Sequence, residues 1–96
     1  MFILRLTYVK PLSEIDRLLP PHREYVAKYF ASGNFLFSGR QEPRTGGAII
    51  ARAGSRAEVE AIIKEDPFLI EGAVEYEIVE FLAATTAPDL DGYRES

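Results

Sequence analysis

A four-stranded antiparallel sheet with two helices on one face is the α+β fold that this 96-residue chain predicts. Three observations lead to it. Four short segments alternate apolar and polar residues with the period of a strand. Two others repeat apolar residues at steps of three and four, the spacing of one helix face. Their order along the chain is strand, helix, strand, strand, helix, strand, which is the split βαβ pattern of the ferredoxin-like βαββαβ sandwich.

The first strand is residues 2–9, FILRLTYV, with Phe2, Leu4, Leu6 and Tyr8 on one face and Ile3, Arg5, Thr7 and Val9 on the other. Lys10-Pro11 ends it. A first helical piece covers about 12–19, with Ser13 as a candidate N-cap. Pro20-Pro21 is expected to interrupt it, because a proline ring removes a backbone donor and restricts the residue before it. Pro21 suits the first position of a new segment running to Ser32, and Gly33 suits the left-handed position beyond its end.

Residues 34–40 and 46–53 form the second and third strands, joined by the polar hairpin connector 41–45. Ser55-Arg56-Ala57-Glu58 has capping-box spacing and opens a helix to about Glu65, which Asp66-Pro67-Phe68 closes. Gly72 punctuates the following loop, and residues 74–82 form the last strand. The domain is thus residues 1–82. The small, polar, acidic tail 83–96 is expected to be flexible and to fray.

Composition narrows the function. One compact domain fits the length, and a net charge of −4 with scattered basic residues argues against nucleic-acid binding. The chain has no cysteine and one histidine, so disulfides, thiolate chemistry and a one-chain zinc site of nitrogen and sulfur ligands are excluded. No apolar run approaches the roughly 20 residues that span a bilayer. No secretion signal is visible, so the expectation is a cytoplasmic protein without membrane contact or cofactor.

The helical stripe Ile15, Leu18, Leu19, His22, Val26, Tyr29 and Phe30 is interrupted by that single histidine. In the second helix Val59, Ile62 and Ile63 lead at the same spacing to Asp66. An imidazole with an ordinary pKa of about 6.5 exchanges protons near neutrality. Near a helix N-terminus it would tend to stay neutral, and a carboxylate beside it would fix its tautomer. The plainer alternatives are a core histidine and a turn-initiating aspartate.

Ser38-Gly39-Arg40 ends the second strand, where a hydroxyl, backbone amides and a guanidinium could meet a small anionic substrate. No second histidine exists to activate Ser38, so its role would be hydrogen bonding. Tyr8, Tyr25, Tyr29 and Tyr76 are candidates to line a pocket for a ring-shaped ligand, or core residues. Arg44-Thr45-Gly46-Gly47 precedes a strand, which a phosphate-binding loop does not. Glu75, Glu77 and Glu80 read as a solvated edge. Both sheet faces carry apolar residues, which predicts a homodimer through the face the helices leave open.

The chain resembles the YciI-like (YCII-related) proteins over about residues 1–82. The resemblance rests on FILRLTYVKP, His22-Arg23, the run Gly33 to Gly39, Thr45 to Ile50, Glu65-Asp66-Pro67-Phe68, Gly72 and the last strand. It implies a ferredoxin-like domain dimerising through its sheets into an α+β barrel. It also implies a histidine–aspartate active-site pair at His22 and Asp66, with Ser38 at a polar position of the same pocket. One class of relatives is a dehydrochlorinase acting on a chlorinated hydroxyhydroquinone. The expectation is a small enzyme using the pair as general acid/base in elimination, dehydrochlorination or isomerisation of a small cyclic or aromatic compound. Ser38, Gly39, Arg40 and Tyr8 would contact the substrate. A non-catalytic ligand-binding or accessory domain is the alternative.

Overall fold

The computed structural model describes residues 1–96. Its strands are β1 (Phe2–Tyr8), β2 (Phe35–Arg40), β3 (Gly46–Ala51) and β4 (Val74–Glu80). Its helices are α1 (Leu12–Ala31), α2 (Arg56–Ile63) and the single turn α3 (Pro67–Ile70). The strands form one antiparallel sheet in the order β2-β3-β1-β4, so the expected ferredoxin-like arrangement is present. No helix is long and apolar enough to cross a membrane.

Phe2, Leu4 and Leu6 are buried beneath the helices, as their alternation predicts. They join Ile15, Leu18, Tyr25 and Tyr29 of α1, Val59, Ile62 and Ile63 of α2, and Phe68 in one core. The inward stripe of α1 is rotated from the predicted one. Tyr25 is buried at 6% exposure, whereas Phe30 is 40% exposed.

Three local expectations are corrected. First, α1 is continuous through Pro20 and Pro21, both of which are exposed. The carbonyls of Asp16 and Arg17, which lose their helical donors to the two rings, belong to exposed residues and can turn to water. Second, Ser13 lies inside α1, and Pro11 occupies the N-cap position with no side-chain cap. Third, α2 ends at Ile63, and Asp66-Pro67 opens α3 where a loop was expected. An aspartate cap followed by proline at the first helical position is a helix-start signal as much as a stop.

The other caps follow the sequence. Ser55 Oγ accepts from Glu58 N at 3.2 Å, and Gly33 takes φ +84° just beyond α1. Gly46 is required for another reason: a Cβ there would lie 1.9 Å from the Leu6 carbonyl oxygen on the paired strand. The tail folds back on the domain, with a 3-10 helix at Pro88–Tyr93. Glu95 accepts from the Ala83 amide and the Met1 ammonium, each at 2.9 Å.

A bulge in β2 decides which side chains reach the helix face. Phe35 pairs with Ala51 and Phe37 with Ile50, so two β2 steps oppose one on β3. Phe35 therefore stays in the core, Phe37 turns outward, and Ser38 shares the inner face with its partner Ile49. Strict alternation from Phe35 would have put Ser38 on the outer face.

Candidate active site

Between α1 and the β2 side of the sheet lies a cavity of about 400 Å³. One reason for it is local: Gly47 faces the helices beside Ile49 and Leu6 but has no side chain to fill the space. Leu6, Leu19, Val26, Ile49 and Phe68 give the cavity an apolar lining. Its polar rim comes from His22 and Arg23 on α1, Tyr8 on β1, and Ser38 and Arg40 at the end of β2.

His22 occupies the middle of α1, not a helix N-terminus. The expected influence of such a terminus on the imidazole is therefore absent, and its environment is set by other contacts. The ring stacks on Phe68 with centroids 4.0 Å apart and planes inclined by 13°. Its Nδ1 lies 2.8 Å from Asp66 Oδ1. Asp66 is 0% exposed.

Three groups converge on the buried Asp66 carboxylate. Oδ1 also accepts from the Phe68 amide at 2.9 Å, and Oδ2 accepts from the Tyr76 hydroxyl at 2.5 Å. The Phe68 bond is the N-cap of α3, so the residue that starts the helix also holds the imidazole. An ionised carboxylate can only accept, so the proton between it and His22 sits on Nδ1. Nε2 makes no hydrogen bond with the protein, while His22 borders the cavity.

Burial, followed by the Asp66 charge, pushes the Tyr76 hydroxyl far above the ordinary tyrosine range and keeps it a donor. Burial likewise raises Tyr25, whose buried hydroxyl has no well-formed hydrogen bond. A second contact ties the Asp66 segment to α1. Glu65 accepts from Lys28 Nζ at 2.6 Å and from the Tyr29 hydroxyl. Lys28, then Tyr29, hold the Glu65 carboxyl below its usual range.

Of the residues singled out from the sequence, His22, Ser38, Gly39, Arg40 and Tyr8 line the cavity, and Asp66 lies behind His22. Tyr25 and Tyr29 are core residues and Tyr76 bonds Asp66, none of the three lining the cavity. Arg40 is also engaged with Glu42 at 2.7 Å. Sequence reasoning missed Arg23, the Phe68 stack and the Tyr76 bond. Arg23 carried a usable signal, its place next to His22, whereas the Tyr76 contact depends on how β4 meets α3. No three His, Asp or Glu side chains cluster as metal ligands.

Fold and cavity together define a small α+β domain with an imidazole–carboxylate contact between its helices and a largely apolar pocket in front of it. The sequence signature of the YCII-related domain matches residues 1–82, and the chain belongs to that family. A solved structure of similar fold is the 5-chloro-2-hydroxyhydroquinone dehydrochlorinase (TftG) from Burkholderia phenoliruptrix AC1100, in complex with 2,5-dihydroxybenzoquinone. The two superpose with a TM-score of 0.71 at 20% identity, over 84% of this chain and 93% of that one. No curated protein sequence matches the chain.

Proposed function

We propose that this protein is a small-molecule enzyme in which His22 is the general acid/base and Asp66 orients it. The observation that carries the reading is the 2.8 Å contact between Nδ1 and a fully buried carboxylate, beside a cavity that His22 lines. Asp66 fixes the tautomer that leaves Nε2 free to take a proton and then stabilises the imidazolium. The dehydrochlorinase of similar fold and its bound quinone favour elimination or isomerisation of a small cyclic or aromatic compound.

In an elimination, Nε2 takes a proton from a ring C–H or O–H. The electrons of that bond enter the ring system, and the leaving group departs with its own bonding pair as an anion. Ser38 can donate a hydrogen bond to an oxygen of the substrate. In an isomerisation, the imidazolium returns the proton to a different atom.

The test is a screen of lactones, catechols and halogenated hydroquinones against wild type, His22→Ala and His22→Gln. The glutamine amide can still donate to Asp66 but cannot shuttle a proton, so both variants are expected to fold and lose turnover. Full activity in folded His22→Gln overturns the reading. Ligand binding with no turnover in wild type would instead favour the accessory-domain alternative.

The same reading includes a second copy of this chain on the open sheet face. One row across that face is apolar on all four strands: Phe37, Ile50, Ile3 and Val79. Phe37 is 58% exposed and Val79 43%. In the next row Arg5 lies opposite Glu77, so a twofold contact can pair opposite charges as it buries the apolar row. Phe37→Glu is expected to give a 10.8 kDa monomer in light scattering, where wild type is a dimer. A monomeric wild type overturns this part.

A further inference from the structure

The charge around the cavity differs from that of the chain. Acidic residues outnumber basic ones 15 to 11 overall. The cavity lining nevertheless contains two arginines, Arg23 and Arg40, and no carboxylate. Asp66, the nearest acidic group to His22, is sealed behind the ring and spent on three donors.

The two guanidiniums are not equivalent. Arg40 is already engaged by Glu42. Arg17, Arg44, Arg56 and Arg94 are likewise paired with carboxylates. Arg23 makes no ion pair or hydrogen bond, although it lies at the mouth of the pocket directly after His22. Ser38 Oγ, turned to the helix face by the bulge, also has no partner in the protein. The polar groups left without a hydrogen bond around this apolar cavity are therefore a cation, the Ser38 and Tyr8 hydroxyls and one imidazole nitrogen.

We propose that the cavity selects a ring compound carrying one negative charge, with its anionic oxygen held by Arg23 and Ser38 and its reacting edge presented to His22. The inference rests on the reading of this cavity as the site of chemistry and names the substrate class. An ionised phenol, enol or carboxyl substituent supplies such an oxygen. A guanidinium bonds it with charge assistance, and the apolar walls take the ring. A dianion would leave one charge against apolar side chains, and a neutral ring would leave Arg23 unused.

Equilibrium binding to the full chain tests this with matched probes, followed by calorimetry and by the His22 ring signals in NMR. The pairs are benzoate with benzamide, and 2-hydroxy-1,4-benzoquinone, a monoanion at neutral pH, with 2-methoxy-1,4-benzoquinone, which cannot ionise. In each pair the ionisable member should bind roughly tenfold tighter, the discrimination expected of a hydrogen bond to a charged group. Arg23→Gln should erase that preference, Arg40→Gln should weaken it less, and Arg17→Gln should leave it unchanged. Equal binding within both pairs, no binding by any probe, or a preference that survives Arg23→Gln overturns the proposal. Because binding needs no turnover, a charge preference in a protein without His22-dependent activity would sink the enzyme reading alone. Loss of turnover in His22→Gln without a charge preference would sink only the substrate class.

Discussion

Replacing Asp66 with asparagine removes one charge and almost no volume from the centre of the site. The amide oxygen can still cap α3 through the Phe68 amide, so the fold should survive. Hydrogen bonds to charged groups contribute about 1.5–3 kcal/mol and neutral ones about 0.5–1.5. Three bonds therefore weaken together by about 3 kcal/mol, partly offset because no charge has to be buried. A net loss of about 1–2 kcal/mol lowers the melting temperature by roughly 5–15 °C in a domain of this size. Catalysis should suffer more. A carboxylate about 4 Å from an imidazolium contributes roughly 4 kcal/mol at an effective dielectric constant of about 20. Its loss corresponds to about a thousandfold in kcat/KM. Thermal melts followed by circular dichroism and steady-state rates on a substrate from the screen measure the two effects separately. Wild-type turnover in a folded Asp66→Asn protein would refute the orienting role.

Tyr76→Phe removes one of the three donors to Asp66 and touches no cavity wall. It should lower kcat by roughly tenfold with KM unchanged, and a rise in KM alone would contradict a positioning role. The Glu65 contact gives a pH dependence. Its carboxyl is lowered in the folded protein, so its stabilisation is complete above the unfolded value of about 4.3 and is lost as pH falls through the lowered folded value. The melting-temperature gap between wild type and Glu65→Gln should therefore close in acid, and a constant gap would refute the assignment. Gly46→Ala should destabilise by about 3–5 kcal/mol because its methyl meets a backbone oxygen that cannot move without splaying β1 from β3. Denaturant titration reads that loss, and a change below about 1 kcal/mol would count against the close approach.

The sheet was legible because alternation with period two is a local signal, and all four strands begin and end within a few residues of where it places them. His22 and Asp66 were legible as residues of interest, but their roles in the backbone were not. Pro20-Pro21 looked like a break because proline costs a helix an internal hydrogen bond, whereas burial of Ile15, Leu18, Tyr25 and Tyr29 along one continuous helix outweighs that cost. Asp66-Pro67 is ambiguous by its chemistry, since the same pair stops one helix and starts the next. Ser38 reached the cavity through a bulge that no local pattern announces, because the extra residue exists only relative to the partner strand.

A carboxylate that is fully buried and also caps a helix invites the objection that it is there for stability. A double-mutant cycle separates the two explanations by sign. In the wild-type background Asp66→Asn gives up a charge well matched by His22, Phe68 and Tyr76, and destabilises. In a His22→Phe background the ring can still stack on Phe68, but the carboxylate has lost a donor and remains buried. Losing a hydrogen bond to a charged group costs about 1.5–3 kcal/mol, and here the charge stays buried with one donor fewer. Asp66→Asn should then relieve that charge while keeping the cap, so the same substitution stabilises. If Asp66 served chiefly as a cap, asparagine would behave alike in both backgrounds, with additivity within about 0.5 kcal/mol. A reversal of sign in chemical denaturation means that the carboxylate is held for the imidazole, and additivity would remove the physical basis for pairing them.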